Sequence, residues 1–170
     1  MKFIFAVLAT AVLAASPAIA ADGGGFYLGA GVGSFGVDVG SFSGSDTGFK
    51  LLGGYGFNDY FGLELEYLDG GTLEDGGAKI DVTGFNASVM GSWPVTEQFD
   101  VFAKLGMLFW DADFHVPGDS GSDSGEDFSW GIGAGFDFTD NFGARIEYQG
   151  FEIQDTDTAD LISASVVWKF

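Results

Sequence analysis

The chain has 170 residues, no cysteine, and 25 acidic against 6 basic side chains, a formal net charge of −19. That surplus excludes nucleic acid as a partner, because the phosphate backbone would repel the protein. The lack of cysteine excludes disulfides and a lipidated cysteine. With 46% hydrophobic residues and 19 phenylalanines, the acidity is not that of a disordered polyanion.

Lys2 gives a short positive start, Phe3 to Ala15 is an apolar run, and Ser16-Pro17-Ala18-Ile19-Ala20 follows. These features predict a secretory signal peptide over residues 1–20, cut after Ala20 or, alternatively, Ala21. The run is too short to span a bilayer comfortably and Pro17 breaks it. Downstream, no segment approaches the roughly 20 consecutive apolar residues of a transmembrane helix. The remainder, residues 21–170, is expected to be one domain, its apolar side chains spread over short alternating segments.

Phe26 to Val32 is the first of these. Phe26, Leu28, Ala30 and Val32 point one way, and Tyr27, Gly29, Gly31 and Gly33 the other. Period two marks a strand and not a helix. A Gly/Ser loop, Gly40 to Thr47, precedes the second strand, Phe49 to Phe57, where Phe49, Leu51, Tyr55 and Phe57 oppose Lys50, Leu52, Gly54 and Gly56. Asn58-Asp59-Tyr60 makes a tight connection to the third, Phe61 to Leu68, with Glu64 and Glu66 on its polar face. After an acidic loop, Asp69 to Ala78, the fourth strand runs from about Ile80 to Trp93 and turns at Pro94 to Gln98.

The fifth strand, Phe99 to Trp110, sets Ala103, Leu105, Met107 and Phe109 against Phe102, Lys104, Gly106 and Trp110. Asp111 to Asp127 is read as the longest and most acidic loop. Strand six, Phe128 to Phe138, turns at Thr139-Asp140-Asn141 into strand seven, Phe142 to Gln149, whose polar face carries Arg145 and Glu147. A loop, Gly150 to Asp160, leads to the last strand, Leu161 to Phe170. There Ile162, Ala164, Val166, Trp168 and Phe170 form an apolar face against Leu161, Ser163, Ser165, Val167 and Lys169.

Connections thus alternate long and short around eight strands, the asymmetry of a barrel with short periplasmic turns and longer external loops. Both termini then fall on the periplasmic side. Phe57, Tyr60, Phe61, Trp93, Phe138, Phe142, Trp168 and Phe170 sit at strand ends, where an interfacial aromatic girdle belongs. The fold class expected is all-β, an eight-stranded antiparallel up-and-down transmembrane barrel.

After the signal peptide the basic residues are Lys50, Lys79, Lys104, Arg145 and Lys169. All but Lys79 lie on the polar faces of strands, which also collect Glu64, Glu66, Asp137 and Glu147. The opposite faces are apolar and leave no other place for a core. An eight-strand barrel is filled by side chains, and charges inside it must be paired. Lys50, Glu64, Glu66, Lys104, Arg145 and Glu147 are therefore expected to form an ion-pair network in the lumen, the inward glycines giving Lys104 and Arg145 room beside Glu64, Glu66 and Glu147.

The stretch Gly48 to Tyr67, with Ala103-Lys104-Leu105-Gly106, the Gly131 to Tyr148 hairpin and Val166-Val167-Trp168-Lys169-Phe170, resembles the OmpA-like transmembrane domain, a family of small outer-membrane β-barrels that includes opacity-type proteins. The resemblance covers essentially all of residues 21–170. It implies that Glu64, Lys104, Arg145 and Glu147 match charged lumen positions that plug the barrel or gate a small conductance. It also implies that Trp168 and Phe170 belong to the terminal signal read by the barrel-assembly machinery. No residue follows Phe170, so tethering through a peptidoglycan-binding domain is not carried over.

Three other patterns give weaker signals. Gly31-Val32-Gly33-Ser34-Phe35-Gly36 matches a dinucleotide-binding string but lacks the strand–helix context. His115, the single histidine, has Asp113, Ser120 and Ser122 near it in sequence but no convincing catalytic constellation. Asp119 to Asp127 offers oxygens for a divalent cation, although its spacing is not that of an EF-hand. The expectation is a non-enzymatic protein of the bacterial outer membrane, without metal or cofactor, with a structural or surface-interaction role and no open pore. The alternative is a narrow channel gated by the lumen ion pairs. Expected partners are outer-membrane lipid and lipopolysaccharide, and the barrel-assembly machinery and periplasmic chaperones during biogenesis. Oligomeric state stays open.

Overall fold

A computed structural model of the protein describes residues 24–39, 42–75, 78–116, 119–152 and 158–170. The predicted signal peptide, residues 1–20, lies outside them. Eight strands follow in order: β1 Gly25–Val39, β2 Phe42–Gly56, β3 Phe61–Asp75, β4 Ala78–Pro94, β5 Phe99–Val116, β6 Asp119–Asp137, β7 Phe142–Phe151 and β8 Thr158–Lys169. Each pairs antiparallel with the next, and β8 returns to β1, from Tyr27 opposite Lys169 to Asp38 opposite Thr158. The result is a closed barrel with no edge in its wall.

Alternation decides which residues face where. Phe26, Leu28 and Val32 are exposed on the outside while Tyr27 and Gly31 are buried. The same division holds on β3, where Phe61, Leu63 and Leu65 are exposed and Glu64 and Glu66 are buried. The barrel is thus apolar outside and partly ionic inside, the arrangement suited to lipid and not to water. On β5 the outward positions from Phe99 to Phe109 are Phe99, Val101, Ala103, Leu105, Met107 and Phe109. At about 3.4 Å per residue and a tilt of about 40°, that stretch rises roughly 25 Å, the height of an apolar band. Paired rings mark its two rims: Tyr60–Trp93 (6.1 Å between centroids) and Phe142–Trp168 (5.0 Å) at the turn end, Tyr67–Phe85 (5.1 Å) and Trp130–Tyr148 (5.6 Å) towards the hairpin end.

The three short turns share one device, a side-chain oxygen that accepts backbone N–H groups left over as the chain reverses. Asn58 Oδ1 accepts from Tyr60 and Phe61 (2.8 and 2.9 Å), Thr96 Oγ1 from Gln98 and Phe99 (3.2 and 3.0 Å), and Thr139 Oγ1 from Phe142 (3.0 Å).

At the other end the structure corrects the expected loops. Most of Gly40–Thr47, Asp69–Ala78 and Asp111–Asp127, and both ends of Gly150–Asp160, are strand extensions. The β5–β6 ladder continues unbroken up to Val116 opposite Asp119. Asp, Ser and Gly hide the alternation there, but above the lipid both faces of a ribbon meet water, so the backbone pairs without an apolar face. Residues 121–124 are all exposed, in keeping with this. Lys79, placed off the strands by the sequence pattern, belongs to β4, opposite Glu74 and His115.

This extension is split. The β2–β3 ladder ends at Phe49 opposite Asp69, and the β6–β7 ladder at Ser129 opposite Phe151. Strands β3 to β6 therefore rise as one four-stranded sheet. Its β3 margin carries a register shift between Asp69 and Thr72, with Gly71 at φ 72° and its N–H bonded to Asp69 Oδ1 (3.0 Å).

Candidate functional site: the lumen ion-pair layer

Six charged side chains from four strands meet at mid-height in the lumen: Lys50 from β2, Glu64 and Glu66 from β3, Lys104 from β5, and Arg145 and Glu147 from β7. Three uncharged side chains join them, Tyr27 from β1, Asn86 from β4 and Gln149 from β7.

Glu66 lies at the centre. Its Oε1 accepts from Lys50 Nζ (3.1 Å) and Lys104 Nζ (2.9 Å), and its Oε2 from Asn86 Nδ2 (2.9 Å) and Gln149 Nε2 (2.7 Å). Glu64 holds Lys104 through Oε1 (2.8 Å), and its Oε2 accepts from Arg145 Nη1 and the Tyr27 hydroxyl (both 2.7 Å). Glu147 completes the set, with Oε2 on Lys50 and Oε1 on Lys104, each at 2.5 Å. The Oε1 contact is an ion pair without hydrogen-bond alignment.

Three carboxylates thus face three cations, and the layer is charge-balanced. Balance matters because Lys50, Lys104, Glu64 and Glu66 are almost wholly buried, at 1–2% exposure. Removing one partner of such a buried pair costs roughly 3–5 kcal/mol, because the charge left behind is uncompensated. Glu64, Glu66 and Glu147 also converge closely enough to ligate a metal ion, but the ammonium groups of Lys50 and Lys104 already answer their charge.

Inward glycines make the room. A Cβ on Gly131 would stand 3.0 Å from Glu147 Oε1, 3.3 Å from Gln149 Cγ and 3.5 Å from Lys104 Cε. Towards the turn end, Arg145 lies over the Tyr27 ring (4.7 Å to the centroid) and near the Phe102 ring (5.2 Å), a placement that offsets part of its desolvation.

Two apolar layers bracket the ions. Tyr27, Leu52, Met90, Phe102 and Val167 pack on the turn side. Phe35, Leu68, Leu108, Phe151, Ala159 and Leu161 pack on the hairpin side, supported by Val82 and Trp110. Between that upper layer and Lys50 and Ser163 lies a cavity of about 30 Å³, room for a water molecule or two.

The six predicted lumen residues are therefore brought together. Lys169 stands apart, pairing with Asp137 at 2.5 Å near the turn-end rim, where both are partly exposed. Trp168 and Phe170 face outward. The Trp168 ring packs on Phe142, and Phe170 donates its N–H to the Phe26 carbonyl (3.0 Å). Tyr27, Asn86 and Gln149 were not among the residues expected in the network. A polar side chain at an inward position beside the charged ones was the available signal. The Gly31 to Gly36 string lies wholly within β1, paired on both sides, which rules out a phosphate-binding turn. In the β5–β6 ribbon, Asp113 stands opposite Ser122 and His115 opposite Ser120.

The outer membrane protein beta-barrel domain family matches residues 5–170. The chain belongs to that family. Outer membrane protein A of Yersinia pseudotuberculosis is 30% identical over 136 residues, covering 69% of this chain and 38% of the relative; that of Klebsiella aerogenes is 29% identical over 111 residues, covering 62% and 31%. The chain thus spans about a third of the length of these curated relatives. Among solved structures, Neisserial surface protein A superposes with a TM-score of 0.77 at 16% identity, covering 88% of this chain and all of that one. Ail, the attachment invasion locus protein of Yersinia pestis, gives 0.68 at 20% identity, with 88% and 100% covered. These likenesses are of fold. As a member of the outer-membrane β-barrel family, the protein resides in the outer membrane of a Gram-negative bacterium.

Proposed function

We propose that this outer-membrane barrel is a closed, non-enzymatic platform that presents its four hairpins as a surface-contact region. The observation that carries the reading is the filled lumen. A charge-balanced ionic layer lies between two apolar layers, so side chains occupy the cross-section and the polar part of the molecule is the hairpin end. By the rule for such barrels, the short turns face the periplasm and the hairpins face outward.

Charge defines that outer surface. From Ser34 to Thr47, Asp69 to Thr83, Asp111 to Asp127 and Glu152 to Asp160, the sequence holds 16 of the 25 acidic residues and a single lysine, Lys79. Ail has been crystallised with the heparin analogue sucrose octasulfate. A polyacidic rim disfavours such a polyanion, so that ligand class is not carried over. His115, Asp113, Ser120 and Ser122 belong to the β5–β6 ribbon, and lipid A mass spectra are expected to be unchanged by overexpression and by His115→Ala.

A second reading, the narrow gated channel, draws on one feature: Lys104 Nζ lies within 2.9 Å of all three glutamates, so a partner exchange would need little movement. Planar-bilayer recordings separate the two. The closed platform predicts no single-channel steps from the wild type or from Arg145→Ala. Discrete steps altered by Arg145→Ala would establish the channel instead. The contact role is tested with cells whose barrel has all four hairpins trimmed. Their surface adhesion should fall while the barrel stays folded.

A further inference from the structure

Seven of the eight strands give the ionic layer a hydrogen-bonded side chain. β1 to β5 contribute Tyr27, Lys50, Glu64 and Glu66, Asn86 and Lys104. β6 adds Ser129, whose hydroxyl donates to Asn86 Oδ1 (2.7 Å), and β7 adds Glu147 and Gln149. Among the described residues β8 is the exception. Its inward serine at this height, Ser163, stands opposite Glu147, is 4% exposed, and has a hydroxyl with no hydrogen-bond partner. Glu147 Oε1, the other buried atom without a hydrogen bond, is at least paired with Lys104. Folded proteins give buried hydroxyls a partner, either from the chain or from ordered water.

Ser163 also borders the cavity above the ionic layer. The ladders explain why space is left there. Ser163 faces Gly33 of β1, and Gly33 faces Gly48 of β2, so two positions without side chains follow it around the wall. Neither can be filled from its own strand. A Cβ on Gly33 would collide with the Ile162 carbonyl oxygen, and one on Gly48 would stand 3.0 Å from that of Asp69. Phe35, Leu68 and Leu161 of the upper apolar layer close the space from the hairpin side, and Lys50 of the ionic layer borders it as well. Lys50 Nζ holds its third partner loosely. Its bonds to Glu147 and Glu66 are 2.5 and 3.1 Å, whereas the bond to Gln149 Oε1 is 3.3 Å, beyond the usual range.

We propose that this cavity is a water site, in which one water is hydrogen-bonded to the Ser163 hydroxyl and to Lys50 Nζ and joins β8 to the ionic layer. A buried water needs about 10–15 Å³ and at least about two polar partners. The cavity offers about 30 Å³, and Ser163 and Lys50 are the two partners. With the water in place the hydrogen-bonded layer takes in all eight strands, including both sides of the seam between β8 and β1.

The sign of one stability change tests the site. Urea unfolding of the full barrel in lipid vesicles compares the wild type with Ser163→Ala and with Ser165→Ala, a buried inward serine of the same strand that does not border the cavity. If a water bridges Ser163 to Lys50, Ser163→Ala removes a working hydrogen bond, and its midpoint should fall by about 0.5 M urea. Ser165→Ala should fall clearly less. If the cavity is dry, Ser163→Ala removes a buried hydroxyl that had no partner, and the midpoint should rise or stay where it was. Either of those results overturns the water site, as does an equal fall in both variants. A high-resolution crystal structure gives the independent result. Density for a water within about 3.2 Å of Ser163 Oγ, lost in Ser163→Val, is expected. An empty cavity, or one that takes up xenon under pressure, marks a dry pocket and overturns the proposal.

Discussion

Lys50 on β2 and Glu147 on β7 meet at 2.5 Å, although three ladder steps through β1 and β8 separate their strands around the wall. The contact spans the lumen. Two walls joined by a buried ion pair cannot separate without exposing unpaired charge, and Lys50 is shared with Glu66 and Gln149 as well. Cohesion across the lumen and charge balance are therefore one property of this barrel.

Removing one cation should show the cost of imbalance. Lys104→Met leaves three glutamates facing two cations, and the barrel should lose about 3–5 kcal/mol. Urea unfolding in lipid vesicles measures it. Combining Lys104→Met with Glu66→Gln restores the balance and should recover a substantial part of the loss.

Room in the lumen is as limiting as charge. Gly131→Val would drive a branched side chain against Glu147, Gln149 and Lys104, and overpacking of this kind costs about 1–3 kcal/mol. The same unfolding assay should register it. Gly91, where an added Cβ would meet open space, should accept alanine without measurable loss.

Phe170 contributes one backbone bond to closure and leaves its ring exposed. Its deletion should leave the unfolding midpoint of refolded protein nearly unchanged. If Phe170 is part of the assembly signal, outer-membrane yield in cells should fall while secretion to the periplasm stays normal. Equal yields would remove that role from Phe170.

Much of the fold was legible in the sequence because period two is a local property. Phe61-Gly62-Leu63-Glu64-Leu65-Glu66 states both faces of β3 in six residues, and the three turns carry their closing residues, Asn58, Thr96 and Thr139, in plain view. The membership of the ionic layer followed from which side chains shared the inward face. Its pairings did not, because whether Lys104 reaches Glu64, Glu66 or all three glutamates depends on strand stagger, which the pattern does not contain. The strand extensions escaped for a different reason. Asp119 to Asp127 alternates nothing apolar, since neither face of that ribbon is buried in lipid, and its pairing is carried by the neighbouring backbone, with Trp110 Nε1 donating to Asp127 Oδ2 (2.6 Å) at its base.

On the closed-platform reading, closure of the lumen by coupled ion pairs differs measurably from closure by independent side chains that happen to touch. The deciding measurement is a double-mutant cycle on Lys50→Met and Glu147→Gln, read by unfolding in vesicles. Coupled closure requires an interaction energy of at least about 1.5 kcal/mol between the two positions. Additivity to within about 0.5 kcal/mol would mean that the pair closes nothing across the lumen.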